Sequence, residues 1–537
     1  MRLSNFLSNC WQQVPPLWLV ALLALALWGG GYVRRGLWEP DEARYAYVAR
    51  EMQQNGHWFV PHVNGELYPD KPPLIFWMIN AASTLTGGRI TGVSTRLPSL
   101  LGAILALWVV TRLMERWRGT RAAWRALLIL PSIFMFWQEG GWGRIDALLC
   151  GLVMLSVYFL LSSWEGHRTR REVLAYLCAG LAVFAKGPVG LALPMGLALV
   201  IALASDRRHE LKRSHWLWGP VVALTIPGAW LLVAWLQHAP TEYFAAVFGE
   251  KSFGRAIQST NHPRPFYYFF LRFPFEGLPW TIFLPISIAA LAKRHRPLLR
   301  MLSAWGLFVI CFFSLFVCKR NVYILVAYPA LAMLVGSAWE DFALLPRRWV
   351  TVTGGIAMGM VYLMAVAATT ALFIPQLPIN RMLLVPSALI LLAGSVVLFR
   401  LFRRERLGLR WFVAYCGLML MLQISVATVV FPGLNKLKGP VDAARAVQAC
   451  VAPDQPIYLY QQQLAIFPLY AERSGRQIES VEALQTILTD HPQVVVVFLE
   501  KHWQSLETVL KASRVAHPFK MGKKSLVWVE FTQQPQI

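Results

Sequence analysis

The strongest constraint on the fold is a series of apolar segments, many of them long enough to cross a lipid bilayer, separated by short charged loops. About 20 apolar residues span the hydrocarbon core as a helix, and a helix satisfies its own backbone hydrogen bonds there. Only 15% of the 537 residues are charged, whereas soluble domains carry roughly 25%. The sequence therefore predicts an α-helical polytopic membrane protein.

Thirteen membrane-spanning helices are predicted from these segments. They lie near residues 15–33, 93–111, 126–138, 147–163, 172–185, 188–204, 216–236, 279–292, 301–317, 322–339, 350–373, 383–400 and 411–431. Several are short for a straight crossing, so their ends are placed only to within a few residues.

The net charge of +23 is concentrated in loops between the apolar segments. Six basic clusters lie at residues 112–125, 168–171, 207–213, 293–300, 347–348 and 400–410. Lysine and arginine are enriched in cytoplasmic loops. With thirteen spans and a cytoplasmic N-terminus, all six clusters face the cytoplasm and the C-terminus lies outside. This distribution argues against a nucleic-acid-binding surface.

The same topology places a set of polar and charged side chains on or near the external face. They are Asp41, Glu42, Arg44, Asp70, Lys71, Asp146, Lys186, Arg255, His262, Arg264, Lys319 and Tyr323. Ionisable residues at the ends of several membrane helices mark functional sites. We therefore expect a site at the external membrane surface.

Three acids of this set are the candidate catalytic residues: Asp41, Glu42 and Asp146. Asp41 and Glu42 follow Pro40 at a predicted helix start, where the helix dipole alone favours carboxylates, and the same explanation applies to Asp146. Arg44 lies three residues after Asp41, on the same helical face. A carboxylate held by an arginine stays ionised at neutral pH and can accept a proton or bind a cation.

The cations of the external face favour a phosphate ligand. Lys71 in "YPDKPPL" and Lys186 in "FAKGPVG" could each extend separately to lipid phosphate. Together with Arg44, Arg255 and Lys319 they form a set that suits one bound phosphate group. His262, in "NHPRPFYYF", is a supporting residue rather than a metal ligand, because no second histidine has ligand spacing.

The chain is predicted to consist of two domains. Residues 1–434 form a transmembrane domain with interfacial helices at about 40–86, and residues 435–537 form an external α/β domain. In the second domain "PIYLY", "VVVVFLE" and "SLVWVEF" read as strands, and helical stretches such as "VDAARAVQAC" alternate with them. Its role is left open: it could cover the site, recognise a partner or stabilise the last helix.

Several of these motifs resemble a known family. The stretches "LWEPDEARYAYVAREM", "VPHVNGELYPDKPPLIFW", "RIDALL", "AKGPVGLALP" and "VYILVAYPALAML" are similar to those of GT-C glycosyltransferases of the protein O-mannosyltransferase superfamily, and within it to the lipid A aminoarabinose transferases. The resemblance implies a polyprenyl-phosphate-linked sugar as donor, such as 4-amino-4-deoxy-L-arabinose. It also implies lipid A or a related envelope glycolipid as acceptor, and transfer on the periplasmic face of the bacterial inner membrane.

The resemblance also implies roles for individual residues. Asp41 matches the essential acid and Asp146 a second acidic position, whereas Lys71 and Tyr323 match contacts to the donor phosphate. Arg255 and Arg264 are alternative candidates for a further phosphate contact. Asp70 is the candidate metal ligand, and a divalent metal is the one cofactor considered.

Two other functions remain open from the sequence. The acceptor could be a protein or a polysaccharide rather than lipid A. A secondary transporter would also carry charged residues among many helices, although transporters place them near the bilayer midplane and often show two similar halves. Here the charges lie at one rim and no repeated halves are visible.

Overall fold

The computed structural model describes residues 13–166, 168–248, 263–375, 380–462, 464–491, 493–507, 510 and 513–532. Contacts divide the chain into two compact units. The first, here the helical unit, comprises Met1–Val33, Asp70–Pro72 and Arg96–Val430. The second, here the mixed unit, comprises Arg34–Pro69, Pro73–Thr95 and Phe431–Ile537. The prediction assigned the interfacial segments at about 40–86 to the transmembrane domain. In the structure most of these residues belong to the mixed unit, together with the C-terminal residues.

The helical unit consists mainly of α-helices. They are Leu17–Arg34, Gly92–Arg118, Thr120–Ser132, Phe134–Gly140, Ile145–Ser163, Arg168–Lys186, Val189–Ala204, His215–Leu236, Thr241–Phe248, Tyr268–Glu276, Leu284–Arg294, Arg296–Ser314, Tyr328–Ala338, Arg347–Ala371, Val385–Glu405 and Leu409–Ser425. Short 3₁₀ helices lie at Arg208–Lys212, Trp280–Phe283, Asn321–Ala327, Trp339–Leu344 and Arg381–Leu384, and a π-helical turn lies at Val426–Val430.

Every predicted span coincides with one of these helices or with two consecutive ones. In the described ranges, nine helical segments are long and apolar enough to cross a membrane, or ten if Tyr268–Glu276 and Trp280–Arg294, bent by 101°, form one span. Other predicted spans match shorter or more charged helices, such as Val189–Ala204 and the arginine-rich start of Arg168–Lys186. The chain is therefore a polytopic helical membrane protein, as predicted, and the number thirteen stays a prediction.

Small residues bring two helices of the helical unit into close contact. A Cβ atom on Gly102 would lie 2.2 Å from the carbonyl oxygen of Ala147, and one on Gly151 would lie 2.3 Å from the carbonyl oxygen of Gly102. Small residues at such crossings let membrane helices approach backbone to backbone. The contact fixes the start of the helix Ile145–Ser163, which carries Asp146.

The mixed unit begins with two helices and a small hairpin. The helices Asp41–Asn55 and Leu74–Ser83 lie within the segment at about 40–86 for which helices were predicted. They are joined by a side-chain hydrogen bond, in which Asn80 Nδ2 donates to the carbonyl oxygen of Ala49 at 3.0 Å. Between them, β1 (His62–Val63) and β2 (Glu66–Leu67) pair antiparallel.

The rest of the mixed unit contains a five-stranded sheet. Its strands are β3 (Ile457–Tyr460), β4 (Gly475–Ile478), β5 (Gln493–Leu499), β6 (Ser513–Met521) and β7 (Lys524–Thr532). Their order is β4-β3-β5-β7-β6, with β4, β3 and β5 parallel and β5, β7 and β6 antiparallel. The helices of this part are Phe431–Gly433, Asn435–Lys438, Val441–Cys450, Ile466–Tyr470, Val481–Asp490 and Glu500–Leu506. The three predicted strands are present as β3, β5 and β7, and the edge strands β4 and β6 are additions to the prediction.

Candidate active site

The helical unit brings Asp146, Lys186 and Tyr323 together. Asp146 lies in the first turn of Ile145–Ser163, where the helix dipole favours a carboxylate. Lys186 is the last residue of Arg168–Lys186, and its Nζ makes an ion pair with Asp146 Oδ1. The same Nζ lies 4.8 Å from the ring centre of Tyr323. Three residues from three separate sequence motifs thus form one cluster, and the bound lysine holds the carboxylate in place.

A second buried ion pair lies close to this cluster in the sequence. Glu139 is completely buried and its Oε1 accepts a hydrogen bond from Arg144 Nη1 at 2.9 Å. The Arg144 guanidinium also lies 4.4 Å from the ring centre of Trp142. Ser99 Oγ bonds both the amide and the carbonyl of Arg144. Sequence analysis did not select Glu139 or Arg144, although two charges beside "GGWG" between apolar helices were a usable signal.

A polar cavity of about 490 Å³ lies in the helical unit. It is lined by Phe134, Met135, Gln138, Arg144, Arg264, Tyr268, Glu276, Lys319, Arg320, Asn321 and Val322. Four of these side chains are cationic and one is acidic, so the walls carry a net positive charge. An excess of guanidinium and ammonium groups around a cavity favours an anionic ligand such as a phosphate.

Backbone pairing builds one side of this cavity. Pro263 forms an isolated antiparallel bridge with Cys318, and the amide of Arg264 donates to the carbonyl of Val317 at 3.3 Å. Lys319 Nζ donates to the carbonyl of Arg264 at 3.1 Å and also to that of Phe316. Two of the three ammonium protons of Lys319 therefore hold the backbone, and burial lowers the pKa of this lysine.

The Arg264 side chain is more available than Lys319 to bind a ligand. Its guanidinium lies 5.7 Å from the ring centre of Tyr268, and it has no ion-pair partner within the described ranges. Tyr268 also begins a chain of hydrogen bonds in the wall, in which Tyr268 donates to Asn321 and Asn321 Nδ2 donates to Glu276 Oε1 at 2.6 Å. Arg320, which also lines the cavity, interacts electrostatically with Lys186, the partner of Asp146.

Asp70 and Lys71 also belong to the helical unit, where Lys71 Nζ donates to the carbonyl oxygen of Asp70 at 3.1 Å. No group of three or more His, Cys, Asp or Glu side chains placed to hold a metal occurs in the described part of the chain. Asp70 therefore stays a prediction as a metal ligand.

The mixed unit contains the other predicted acids. Asp41 is 8% exposed, and Arg44 interacts with both Asp41 and the hydroxyl of Tyr68. Burial acts to lower the pKa of Arg44, but Tyr68 and Asp41 outweigh it, so the pKa is raised and the guanidinium stays charged. The predicted association of Asp41 with Arg44 is thus present. It places the Arg44 guanidinium near the carboxyl group at the start of the helix Asp41–Asn55.

Glu42 has a different environment. Its Oε1 accepts a hydrogen bond from Arg35 at 2.7 Å and its Oε2 accepts one from the amide of Trp38 at 3.1 Å. The Glu42 and Arg35 side chains are 0% and 2% exposed. Both carboxylate oxygens are therefore bound within the protein, which suits a residue that positions the loop before Asp41. Sequence analysis did not select Arg35, its partner.

The helix that begins at Asp41 is held by the C-terminal part of the same unit. Arg50 donates to the carbonyls of Pro468, Leu469 and Arg473 at 2.7–3.1 Å. The hydroxyl of Tyr47 accepts a hydrogen bond from the amide of Gly475 at 2.7 Å. These contacts give the α/β part a structural role that its sequence did not reveal.

Arg255 and His262 lie outside the described residues. Of the other predicted site residues, Asp70, Lys71, Asp146, Lys186, Arg264, Lys319 and Tyr323 belong to the helical unit, and Asp41, Glu42 and Arg44 belong to the mixed unit. Within the helical unit, Asp146 lies with Lys186 and Tyr323, and Arg264 lies with Lys319. Within the mixed unit, Asp41 lies with Arg44.

Comparison with known proteins finds similar sequences and a similar fold. The family model described as dolichyl-phosphate-mannose-protein mannosyltransferase matches residues 70–235. One similar protein is the undecaprenyl phosphate-alpha-4-amino-4-deoxy-L-arabinose arabinosyl transferase 2 of Pseudomonas fluorescens, which is 30% identical over 378 residues. The matched region covers 67% of this chain and 63% of that protein, so the chain spans slightly less than two thirds of the length of this relative. The corresponding transferase of Pectobacterium carotovorum is 29% identical over 430 residues, covering 76% and 74%.

A solved structure shares the fold over nearly the whole chain. The crystal structure of ArnT from Cupriavidus metallidurans bound to undecaprenyl phosphate matches with a TM-score of 0.78 and 23% identity, covering 95% of this chain and 97% of that one. The apolar helices of this chain and its shared fold agree with a multi-pass membrane protein. The chain is thus similar in sequence to aminoarabinose transferases and, over residues 70–235, to the protein mannosyltransferase family, and it shares its fold with ArnT.

Proposed function

We propose that this glycosyltransferase moves 4-amino-4-deoxy-L-arabinose, or a similar sugar, from a polyprenyl-phosphate donor to lipid A or a related envelope acceptor. The names of the relatives support the sugar and the undecaprenyl-phosphate donor. The family is one of enzymes, which favours transfer over the alternative of a secondary transporter. The face on which transfer takes place is proposed to be periplasmic, with the N-terminus in the cytoplasm and the mixed unit outside.

The observation that carries the donor proposal is the positively charged cavity. A similar protein was crystallised with undecaprenyl phosphate, and the walls of the cavity hold Arg144, Arg264, Lys319 and Arg320 against one acid, Glu276. Arg144 is balanced by Glu139 and Lys319 holds the backbone, whereas the Arg264 guanidinium has only an aromatic contact among the described residues. We infer that Arg264 makes a direct contact to the donor phosphate.

The chemistry requires charge stabilisation more than acid catalysis. In transfer, the bond between the sugar C1 and the phosphate oxygen breaks, and a bond between C1 and an acceptor oxygen forms. The leaving group is a polyprenyl phosphate, whose developing charge fixed cations stabilise. The Asp146–Lys186 pair contributes an oriented ammonium group, and Tyr323 beside it contributes a hydroxyl that can donate a hydrogen bond.

The acceptor decides what Asp41 does. An acceptor hydroxyl needs a base to remove its proton, and a carboxylate kept ionised by Arg44 can supply one. An acceptor phosphate of lipid A is already anionic and needs no base. In that case Asp41 positions the substrates or binds a cation. Glu42, committed to Arg35 and Trp38, is assigned to positioning rather than to proton transfer.

Mass spectrometry of lipid A and of the surface glycans tests the proposed function. Cells that carry the gene should show a mass increase of one aminoarabinose on lipid A, and cells that lack it should not. A variant Lys186→Met should lose the modification, whereas Lys293→Met, at the end of another helix, should retain it. Unmodified lipid A together with a changed protein or polysaccharide would move the acceptor to that class and contradict the lipid A proposal.

A further inference from the structure

The helical unit contains a second and larger cavity, of about 1730 Å³, which the proposed transfer reaction does not use. Ordinary small-molecule pockets occupy roughly 300–1,000 Å³. We call it the arginine-rimmed cavity. The cationic residues that line it are Arg121, Arg125, Arg347, Arg404, Arg406 and Arg410. Its size and its charges indicate a large anionic occupant.

The charges lie at the ends of helices and the apolar walls lie further inward. Arg121 is in the first turn of Thr120–Ser132, and Leu128 of the same helix also lines the cavity. Seven residues of helix separate them by roughly 10 Å along the axis. Arg410 and Val413 repeat this order at the start of Leu409–Ser425. A cationic rim above apolar walls matches the division of a phospholipid into headgroup and acyl chains.

Most of the rim charge is uncompensated. Arg125 is paired with Glu340 at 2.7 Å, and Arg121 lies 3.8 Å from the same carboxylate oxygen. The other acid of the lining, Glu405, accepts a hydrogen bond from the amide of Trp411 at 3.0 Å. The other four cations differ in the part of the chain that the structure describes. None of the side chains of Arg347, Arg404, Arg406 and Arg410 has an ion-pair or hydrogen-bond partner there.

We propose that the arginine-rimmed cavity binds an anionic phospholipid of the bilayer. The unpaired guanidinium groups bind the phosphate, and the acyl chains lie along the walls formed by residues such as Leu128 and Val413. Basic pockets between membrane helices bind anionic lipid headgroups in this way. The bias of arginine toward one membrane face accounts for charge in the loops, but it does not account for a cavity of about 1730 Å³ whose lining combines those charges with apolar side chains.

Adjacent arginines provide a matched control. Arg348 and Arg403 are sequence neighbours of Arg347 and Arg404 but do not line the cavity. The purified full-length protein is incubated with equal amounts of phosphatidylglycerol and phosphatidylcholine of the same acyl chains, and bound lipid is measured by native mass spectrometry. The double variant Arg347→Gln/Arg404→Gln should retain about tenfold less phosphatidylglycerol, and Arg348→Gln/Arg403→Gln should change retention by less than about twofold.

A variant that keeps every charge tests the cavity itself. Leu128→Trp fills the wall and should lower phosphatidylglycerol retention, whereas Arg347→Lys/Arg404→Lys should preserve most of it. Equal loss in both glutamine double variants would reduce the effect to general surface charge and overturn the proposal. Equal retention of the two lipids would overturn it as well. A lipid-free dimer that disappears in Arg347→Gln/Arg404→Gln would instead assign the cavity to a second copy of the chain.

Discussion

Asn435 fixes the backbone of Gly36, which lies 399 residues earlier in the chain. Its Oδ1 accepts a hydrogen bond from the Gly36 amide at 2.9 Å, and its Nδ2 donates to the carbonyl of Arg34 at 3.1 Å. Tyr470 adds a hydrogen bond to the carbonyl of Leu37 at 3.1 Å. Residues of the C-terminal part therefore hold the loop that leads to Asp41, within the mixed unit.

The first prediction concerns this link. Asn435→Ala removes the hydrogen bonds to Gly36 and Arg34 and a third from Trp38 Nε1 at 3.3 Å. At about 0.5–1.5 kcal/mol each, the loss of the three should lower the free energy of unfolding by about 1.5–4.5 kcal/mol. Transfer should slow because the loop before Asp41 loses its position. Thermal unfolding and a transfer assay measure the two effects. The control Asn55→Ala removes an exposed amide at the end of Asp41–Asn55 and should change neither.

The second prediction tests whether Glu42 positions the loop or takes part in proton transfer. Glu42→Gln breaks the buried ion pair with Arg35, which should cost about 3–5 kcal/mol of stability. Replacing both residues, in Arg35→Met/Glu42→Met, removes both members of the pair and should recover a large part of that loss. Thermal unfolding of the three variants gives the comparison. A Glu42→Gln protein of normal stability but with no transfer activity would point to a catalytic Glu42 instead.

The sequence predicted the parts of this fold that depend on local pattern. Every predicted span is helical because apolar composition over many residues is a local property. Asp146 and Lys186 were selected because charges at the ends of apolar helices are costly without a function. The edge strands β4 and β6 escaped prediction: β4 has only four residues and β6 contains Pro518, so neither shows a clear strand pattern.

Long-range contacts could not be predicted from the same patterns. Asn435 is a single amide in a polar stretch, and nothing near it in the sequence indicates a partner at Gly36. Arg35 was indistinguishable from any basic residue at the end of a helix, yet it forms a buried pair with Glu42. Glu139 and Arg144 were missed because their pairing depends on the fold of the loop between two helices. Polar contacts of this kind are fixed by tertiary structure alone.

The third prediction concerns pH. Burial raises the pKa of Glu51, whose Oε1 accepts a hydrogen bond from the Gly65 amide at 2.7 Å. A raised carboxyl pKa means that the folded state binds more protons than the unfolded state, so stability falls as pH rises from the unfolded value through the folded one. Glu51→Gln keeps an acceptor for Gly65 but cannot ionise. Its stability relative to the wild type should therefore rise between pH 4 and pH 8 in thermal unfolding. A difference that stays constant with pH would contradict the raised pKa.

The fourth prediction concerns the donor phosphate. Arg264→Gln removes an unpaired guanidinium from the polar cavity and should weaken undecaprenyl-phosphate binding by roughly 10–100-fold, as expected for a charged hydrogen bond of about 1.5–3 kcal/mol. Arg272→Gln is the matched control, because Arg272 is nearby in sequence but does not line the cavity. It should change binding by less than about threefold. Titration with the lipid in detergent measures both. Equal weakening would show that overall charge, and not the cavity, determines binding.

The last prediction concerns Asp41. Asp41→Asn keeps the shape of the side chain but removes its charge and basicity. For a hydroxyl acceptor, turnover should fall by about 10²–10⁴ with donor binding nearly unchanged, and the acid limb of the pH–rate profile should disappear. For a phosphate acceptor there is no such limb, and the loss comes through positioning or a bound cation.

Asp442→Asn is the control, because Asp442 is a first-turn acid of another helix in the same unit. Both substitutions should cost about 0.3–1 kcal/mol of stability through the helix dipole, but only Asp41→Asn should slow transfer. Normal transfer by Asp41→Asn at saturating donor and acceptor would reduce Asp41 to a helix-start residue like Asp442.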